Sequence, residues 1–266
     1  MPEKQETNGQ GIVTAAVLVI GDEILSGRTK DKNIGYIADY LTAVGIRLSE
    51  VRIVADVQKE IVSALNALRA GYDYVFTTGG IGPTHDDITA DAVARAFGVT
   101  IDVDPRAVAI MEKRYGPGEF TPARLRMARI PEGGELVRNS VSGAPGFMIG
   151  NVIVMAGVPR IMQVMLDDVA PRLRTGAKMH SRTVRVERPE GVVAAGLGRV
   201  QEAFADVQMG SYPFMEKDKL GTHLVLRSVD EAKLADALQA LWKMLEAEGF
   251  NELASEVNTA AAASAD

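Results

Sequence analysis

A glycine-rich segment, TTGGIGPTHDDIT at residues 77–89, carries the strongest chemical signal in the chain. Its glycines let the backbone turn tightly and approach a ligand closely. A strand that ends in such a loop and continues into a helix presents free N–H groups to a phosphate or a carboxylate. The segment lacks the Gly-Lys-Ser/Thr of a Walker loop, and His85 stands where a dinucleotide fingerprint has its third glycine. The pattern therefore predicts a binding loop for a small anion.

Two adjacent carboxylates, Asp86 and Asp87, lie at the predicted start of the helix that follows this loop. In one interpretation Asp87 caps the helix, which contributes about 1 kcal/mol, and Asp86 is solvated. In the other, one or both bind a divalent ion such as Mg²⁺, which prefers carboxylate oxygens together with ligand phosphates. Asp56, at the end of the second predicted strand, is likewise either the N-cap of the next helix or a further residue of the site.

A second polar segment, GDEILSG at residues 21–27, follows the first predicted strand. Taken alone, it is typical of an ordinary turn. Ligands of open α/β sheets, however, bind beyond the carboxyl ends of the strands, where neighbouring strands end close together. We therefore expect this segment and the residues after it to border the same site, with the candidate ligand-binding residues Gly21, Asp22, Glu23, Ser26, Gly27, Asp31 and Asn33.

Alternating strands and helices are predicted to position these loops. Residues 12–20 form a nearly continuous apolar run, which is typical of a strand covered on both faces. Apolar residues recur at helical spacing over 33–44 and 88–97, and a short apolar strand at 74–78 leads into the glycine-rich loop. Such alternation predicts parallel strands joined by right-handed crossovers. The expected fold class is α/β: a three-layer α/β/α sandwich with a mostly parallel sheet.

The composition changes near Gly176, and the remaining elements follow the order β-α-β-β-α. This order predicts a small α+β lobe of the split-βαβ type. We thus expect one domain over residues 12–175, a second over 180–250, and flexible polar tails at 1–11 and 252–266.

The composition excludes several classes of function. The chain has 266 residues and a net charge of −6, which argues against nucleic-acid and membrane partners. It has no cysteine, so disulfides, thiolate metal sites and a cysteine nucleophile are excluded, and its three histidines are scattered. No apolar run approaches the roughly 20 residues of a membrane span, and the N-terminus lacks a secretory signal. We expect a cytoplasmic protein.

Together, these motifs resemble the MoaB/Mog molybdopterin-binding domain family and, more closely, the N-terminal part of CinA-like (competence/damage-inducible) proteins. The resemblance covers about residues 12–175 and includes Asp56, NSVSGAPGF at 139–147 and AGVP at 156–159. No C-terminal amidohydrolase domain is expected. Related domains form dimers or trimers, so the resemblance implies a homo-oligomer. It also implies that a pterin or nucleotide phosphate contacts Thr78, Gly79, Gly80, Gly82, Pro83, Thr84, Gly143, Ala144, Pro145, Gly157 and Pro159.

The resemblance implies catalytic roles for Asp56 and Asp87 in adenylyl transfer, with a metal ion at Asp86 and Asp87. In CinA-like proteins the same site is associated with metal-dependent cleavage of ADP-ribose-type pyrophosphates. Both reactions attack a phosphoanhydride, for which a metal and oriented amides serve similarly. The chain departs from the CinA pattern at Ala156 and at Ile161, where proline and glutamate are common. The missing carboxylate weighs against hydrolysis.

Three functions stay open at this point, all with a small phosphate-bearing partner. The first is binding of a nucleotide or pterin phosphate with a divalent metal, Mg²⁺, and hydrolysis of ADP-ribose-type pyrophosphates. The second is adenylylation of molybdopterin in molybdenum cofactor biosynthesis. The third is a non-catalytic module that binds molybdopterin or an adenine nucleotide.

Overall fold

The computed structural model describes residues 11–115, 119–216 and 219–257, and it divides into two compact units between Ala177 and Lys178. The strands of the first unit are, in chain order, β1 (Val13–Ile20), β2 (Ile46–Val54), β3 (Tyr74–Thr78), β4 (Ile101–Val103), β5 (Arg129–Pro131), β6 (Glu135–Val137), β7 (Gly146–Ile149) and β8 (Val152–Met155). Its helices are α1 (Asp22–Leu25), α2 (Asn33–Ala43), α3 (Gln58–Gly71), α4 (Thr89–Phe97), α5 (Pro105–Glu112), α6 (Pro122–Leu125) and α7 (Pro159–Val169).

Six of these strands form one sheet in the order β2-β1-β3-β8-β7-β6. Strands β2, β1, β3 and β8 are parallel, whereas β7 pairs antiparallel with both β8 and β6. Since the carboxyl ends of the parallel strands lie at one edge, the loops that follow β1, β2, β3 and β8 meet there. The two remaining strands, β4 and β5, form a separate antiparallel pair.

Helices cover both faces of the sheet. On one face, Ile61 and Leu65 of α3 and Val93 of α4 pack among buried residues of β1, β3 and β8. On the other face, Leu41 of α2 and Leu166 of α7 pack against the alternate residues of the same strands. Strand β1 is therefore almost entirely buried, as its apolar run predicts. The predicted three-layer α/β/α sandwich is confirmed.

The second unit contains β9 (His180–Val186), α8 (Glu190–Ala203), β10 (Gln208–Glu216), β11 (Lys219–Ser228), α9 (Glu231–Ala247) and β12 (Ala254–Val257). Its strands form an antiparallel sheet in the order β10-β11-β9-β12. Helices α8 and α9 supply apolar residues, such as Leu197 and Leu241, to a core shared with β9 and β11. The predicted α+β arrangement after residue 176 is thus present.

Two local predictions require correction. The polar segment after β1 is not all loop, because residues 22–25 form the single-turn helix α1. The expected flexible tail at 252–266 includes β12, whose backbone pairs with β9 from Ala254 to Val257. The small polar composition concealed this strand, since pairing at a sheet edge uses backbone groups that any residue carries. Residues 1–10 and 258–266 of the predicted tails lie outside the described residues.

An aromatic and charged cluster lies on the sheet of the second unit. The rings of Phe214 and His223 stack with centroids 4.5 Å apart. The Arg185 guanidinium lies 4.0 Å from the Phe214 centroid and 3.0 Å from a Glu216 carboxylate oxygen. Burial, and then the charge of Arg185, lower the pKa of His223 below its ordinary value, while Glu216 acts in the opposite direction. The neutral imidazole is therefore favoured in the folded protein.

Candidate functional site

The glycine-rich loop lies at the carboxyl edge of the six-stranded sheet, directly against the end of β1. Gly79 has φ +103°, and a Cβ there would lie 2.1 Å from the Ile20 carbonyl oxygen. Only glycine fits such a position without a shift of the backbone. The first turn of α4 closes the loop from the other side: Thr89 donates its hydroxyl to the Gly79 carbonyl at 3.0 Å and its N–H to Gly80 at 3.0 Å.

Asp87 stabilises this loop rather than the helix after it. Helix α4 begins at Thr89, its N-cap is Ile88, and no side chain caps it. The capping interpretation of Asp87 is therefore wrong. Its Oδ2 instead accepts hydrogen bonds from the Thr84 N–H, at 2.8 Å, and from the Thr84 hydroxyl. A Cβ at Gly82 would lie 2.6 Å from the same oxygen, so the carboxylate fills the space that this glycine leaves.

Asp56 joins the loop after β2 to the segment after β1. Its Oδ2 accepts a hydrogen bond of 2.9 Å from the Asp22 N–H, and the N-cap of α3 is Val57, so Asp56 is not the predicted helix cap. Burial raises the pKa of Asp56, and the charges of Asp22, Glu23 and Asp86 raise it further. The pKa of Asp86, in contrast, is lowered through its contact with Thr84. Four carboxylates thus influence one another at this edge.

Asn33 connects the start of α2 to the loop after β8. Its Nδ2 donates to the Gly157 carbonyl at 2.8 Å, and a Cβ at Gly157 would lie 3.3 Å from the Gly79 Cα. Asn33 is only 5 % exposed, yet its Oδ1 has no hydrogen-bond partner among the described residues. The buried Thr78 hydroxyl, at the end of β3, also lacks a partner in this part of the chain. Buried polar atoms of this kind are normally satisfied, so both are candidates for ligand contacts.

Other predicted site residues have local structural roles. Asp31 accepts hydrogen bonds from the N–H groups of Asn33 and Ile34 and so caps α2, while Pro159 is in the first turn of α7. Ser26 ends α1, and Gly27 follows it at the exposed turn. The backbone of Gly21 donates to the Val54 carbonyl at 3.2 Å, which ties the segment to β2, and Pro83 is exposed beside Thr84.

The loop at 139–147 is organised around Asn139. This buried side chain accepts from the N–H groups of Val141 and Ser142 and donates to the Ala144 carbonyl at 2.9 Å. Gly143 packs on the Arg114 side chain, and Ala144 is buried. Of the three ligand-contact candidates in this loop, only Pro145 lines the groove described next.

An open groove borders the glycine-rich loop on the α4 side of the sheet. Its lining includes Gly80, Gly82 and Asp87 from the loop and the residues after it, together with Pro145. The other charged residues of the lining are Asp91 of α4, Arg126 in the segment just before β5, and Arg129 at the start of β5. Sequence reasoning missed the segment RLRMAR at 124–129, because it has no motif and its place beside the loop depends on a long-range chain path.

The acidic residues do not form a preassembled metal cage. Within residues 11–115, 119–216 and 219–257, no group of three or more His, Asp or Glu side chains is placed to hold an ion. Mg²⁺ commonly keeps several waters and binds through only one or two carboxylates together with ligand phosphates. The carboxylates around Asp56 could provide those one or two ligands.

Across the described ranges no helix is long and apolar enough to cross a membrane.

Comparison with known families divides the chain as the fold does. Residues 16–175 match the family described as "Probable molybdopterin binding domain". Residues 178–254 match the family described as the middle domain of FAD synthase.

Individual relatives are consistent with these matches. A CinA-like protein of Citrifermentans bemidjiense is 35 % identical over 260 residues, which cover 91 % of this chain and 61 % of that protein. A protein of Thermoplasma acidophilum is 36 % identical over 208 residues, which cover 75 % of this chain and 80 % of the relative. The crystal structure of a CinA protein of unknown function from Thermoplasma acidophilum superimposes with a TM-score of 0.57 at 35 % identity and covers 60 % of this chain and 98 % of its own. This chain thus spans about three fifths of the CinA-like relative.

Proposed function

Because the chain belongs to the molybdopterin-binding domain family and continues into a domain like the middle domain of FAD synthase, we propose that its first unit binds a small phosphate-bearing molecule. The ligand is a nucleotide or a molybdopterin, and its phosphate lies on the loop from Gly79 to Thr84. The observation that carries the proposal is the glycine-dependent conformation of the loop and its place at the sheet edge. Gly79 holds a conformation that only glycine adopts easily, and the loop lies at the sheet edge where α/β folds bind ligands.

The buried polar atoms beside the loop support a ligand at this edge. The Oδ1 of Asn33 and the hydroxyl of Thr78 are buried without partners in the described chain. Each such atom costs free energy of about 1–3 kcal/mol unless a ligand or a water satisfies it. A ligand that carries hydroxyl or amide donors, as a ribose or a pterin does, would supply the missing partners.

The reaction that we propose for this site is hydrolysis of an ADP-ribose-type pyrophosphate with the help of a divalent cation. Asp56 and Asp86 would hold the cation, which when bound neutralises phosphate charge and polarises the phosphoanhydride. Burial raises the pKa of Asp56, and repulsion from the carboxylates of Asp22, Glu23 and Asp86 raises it further; a bound cation would offset that repulsion. The Thr84–Asp87 hydrogen bonds keep the loop amides in place for the phosphate.

One observation favours a second candidate, a binding module without turnover. Ile161, at the position where CinA-like proteins commonly have a glutamate, packs against the apolar core beneath α7. An alkyl side chain can neither ligate a cation nor activate water. Adenylyl transfer to molybdopterin, for which the resemblance implies roles of Asp56 and Asp87, is included in the test.

Binding and turnover are measured on the purified chain with Mg²⁺, Mn²⁺ or Co²⁺. The substrates are ADP-ribose, FAD, and molybdopterin with ATP, and calorimetry with ADP-ribose and ADP reports affinity. The proposed hydrolysis is supported if the purified chain turns over ADP-ribose, if Asp56→Asn loses this turnover, and if the exposed control Asp39→Asn keeps it. Binding without any turnover supports the module. No binding of any of these compounds would overturn the proposed function.

A further inference from the structure

The groove beside the glycine-rich loop is lined by four charged side chains, those of Asp87, Asp91, Arg126 and Arg129, and most of them are already paired. Arg129 forms a two-pronged ion pair with Asp91, with N–O distances of 2.6 and 2.9 Å. Asp87 is held by Thr84. Because the guanidinium and the carboxylate already bind each other, Arg129 and Asp91 offer little net charge to a ligand.

Arg126 is different. It lines the same groove, its side chain is exposed, and it forms no hydrogen bond or ion pair with any part of the chain that the structure describes. A cation in this position raises the local concentration of anions and can donate up to five N–H bonds. Among the described residues, the groove lining therefore contains a guanidinium, that of Arg126, which no other side chain already binds.

The backbone around Arg126 is well supported, although its side chain is not. Thr121 caps α6 by accepting a hydrogen bond from the Arg124 N–H, and a 3₁₀ turn follows at Arg126–Ala128. Ala128 is fully buried, and its carbonyl accepts a bond of 2.8 Å from the Asp104 N–H. The Cα of Arg126 is thus fixed at the groove, while the flexible stem leaves the guanidinium free to meet a ligand.

We propose that Arg126 binds the second phosphate of a diphosphate ligand whose first phosphate lies on the glycine-rich loop, and so makes the site prefer diphosphates over monophosphates. This inference rests on the proposed function. Loop residues and a guanidinium that line the same groove could bind two neighbouring anionic groups of one ligand. Arginine is suited to this role because its planar fork binds phosphate oxygens in pairs.

The test compares ADP with AMP, at one fixed Mg²⁺ concentration, by isothermal titration calorimetry. Arg126→Gln should weaken ADP binding about 10-fold, the low end for loss of a charged hydrogen bond at an exposed site, and AMP binding less than about 3-fold. Arg126→Lys keeps the charge and should recover part of the difference. Arg47→Gln is the matched control, because it removes the same charge at the start of β2, at the opposite edge of the sheet.

The outcomes separate this inference from the function on which it rests. If Arg126→Gln binds ADP as tightly as the unaltered protein does, the proposed role of Arg126 is overturned. The same follows if the substitution weakens the binding of ADP and of AMP equally. Both results leave the phosphate site in place. If the unaltered protein binds neither ADP nor AMP, the inference is overturned. If it also binds none of the other compounds, the proposed function is overturned as well. Since the exposed Arg126 side chain makes no hydrogen bond or ion pair within the described chain, the variants should melt within about 1–2 °C of the parent.

Discussion

Replacing Asp87 by alanine should destabilise the first unit, and the loss should depend on Thr84. The carboxylate accepts two hydrogen bonds from Thr84, one from the backbone and one from the hydroxyl, at an exposed site where water competes. Each is worth about 0.5–1 kcal/mol under those conditions, so Asp87→Ala should lower the free energy of unfolding by about 1–2 kcal/mol. For a unit of this size the melting temperature should fall by about 3–6 °C.

The assay is a double-mutant cycle measured by urea denaturation of the first unit. Thr84→Val removes only the hydroxyl, and its coupling with Asp87→Ala should be about 0.5–1 kcal/mol. Asp39→Ala serves as the control, since the Asp39 carboxylate makes no hydrogen bond or ion pair in the part of the chain that is described. If the losses in free energy of unfolding of the two single variants add up to the loss of the double variant, the hydrogen bond between Asp87 and the Thr84 hydroxyl is refuted. A carboxylate that capped α4 would show such additivity, because it would not be coupled to Thr84.

Three further expectations follow from local geometry. Gly79→Ala should cost more than about 2 kcal/mol, because its Cβ would meet the Ile20 carbonyl. Gly35→Ala, in the first turn of α2 with open space around it, should instead stabilise by about 0.4–1 kcal/mol, and similar melting temperatures for the two variants would contradict the close approach at Gly79. Asn139→Ala should cost about 2–3 kcal/mol in chemical denaturation, since buried loop groups lose their partners. Because the pKa of His223 is lowered in the folded protein, the unfolded chain takes up a proton there more readily. The second unit should therefore lose stability as the pH falls below about 6.5. In His223→Gln the melting temperature should depend less on pH over this range.

Much of the architecture follows from short-range patterns. The apolar run at 12–20 predicts β1, and the residues of α3 that share one face in sequence, Ile61 and Leu65 among them, are the ones that are buried. Gly98 ends α4 in a left-handed conformation, as its place after the last apolar residue predicts. Periodicity and glycine placement are local properties, and a strand or helix needs only local information to be recognised.

The hydrogen-bond partners of the acidic side chains do not follow from sequence motifs. Asp56 accepts from a backbone N–H 34 residues earlier in the chain, and nothing in its neighbourhood distinguishes that role from helix capping. Asp87 has a helix just after it, but the backbone turn at Gly82 and Thr84 brings closer donors to its carboxylate. A side chain bonds to the nearest well-oriented donor, and that donor is known only once the chain path is known.

The sequence by itself determined the α/β fold and the order of the elements, and it predicts the glycine-rich loop as the centre of a site, because these depend on composition and spacing along the chain. Only the tertiary structure decided which groups surround the loop. It placed Asn33 against Gly157, gathered carboxylates around Asp56 and brought Arg126 into the lining of the same groove as Gly80 and Gly82. The physical reason is that hydrogen bonds, burial and charge act across space, and residues far apart in sequence become neighbours only when the sheet assembles its strand ends at one edge.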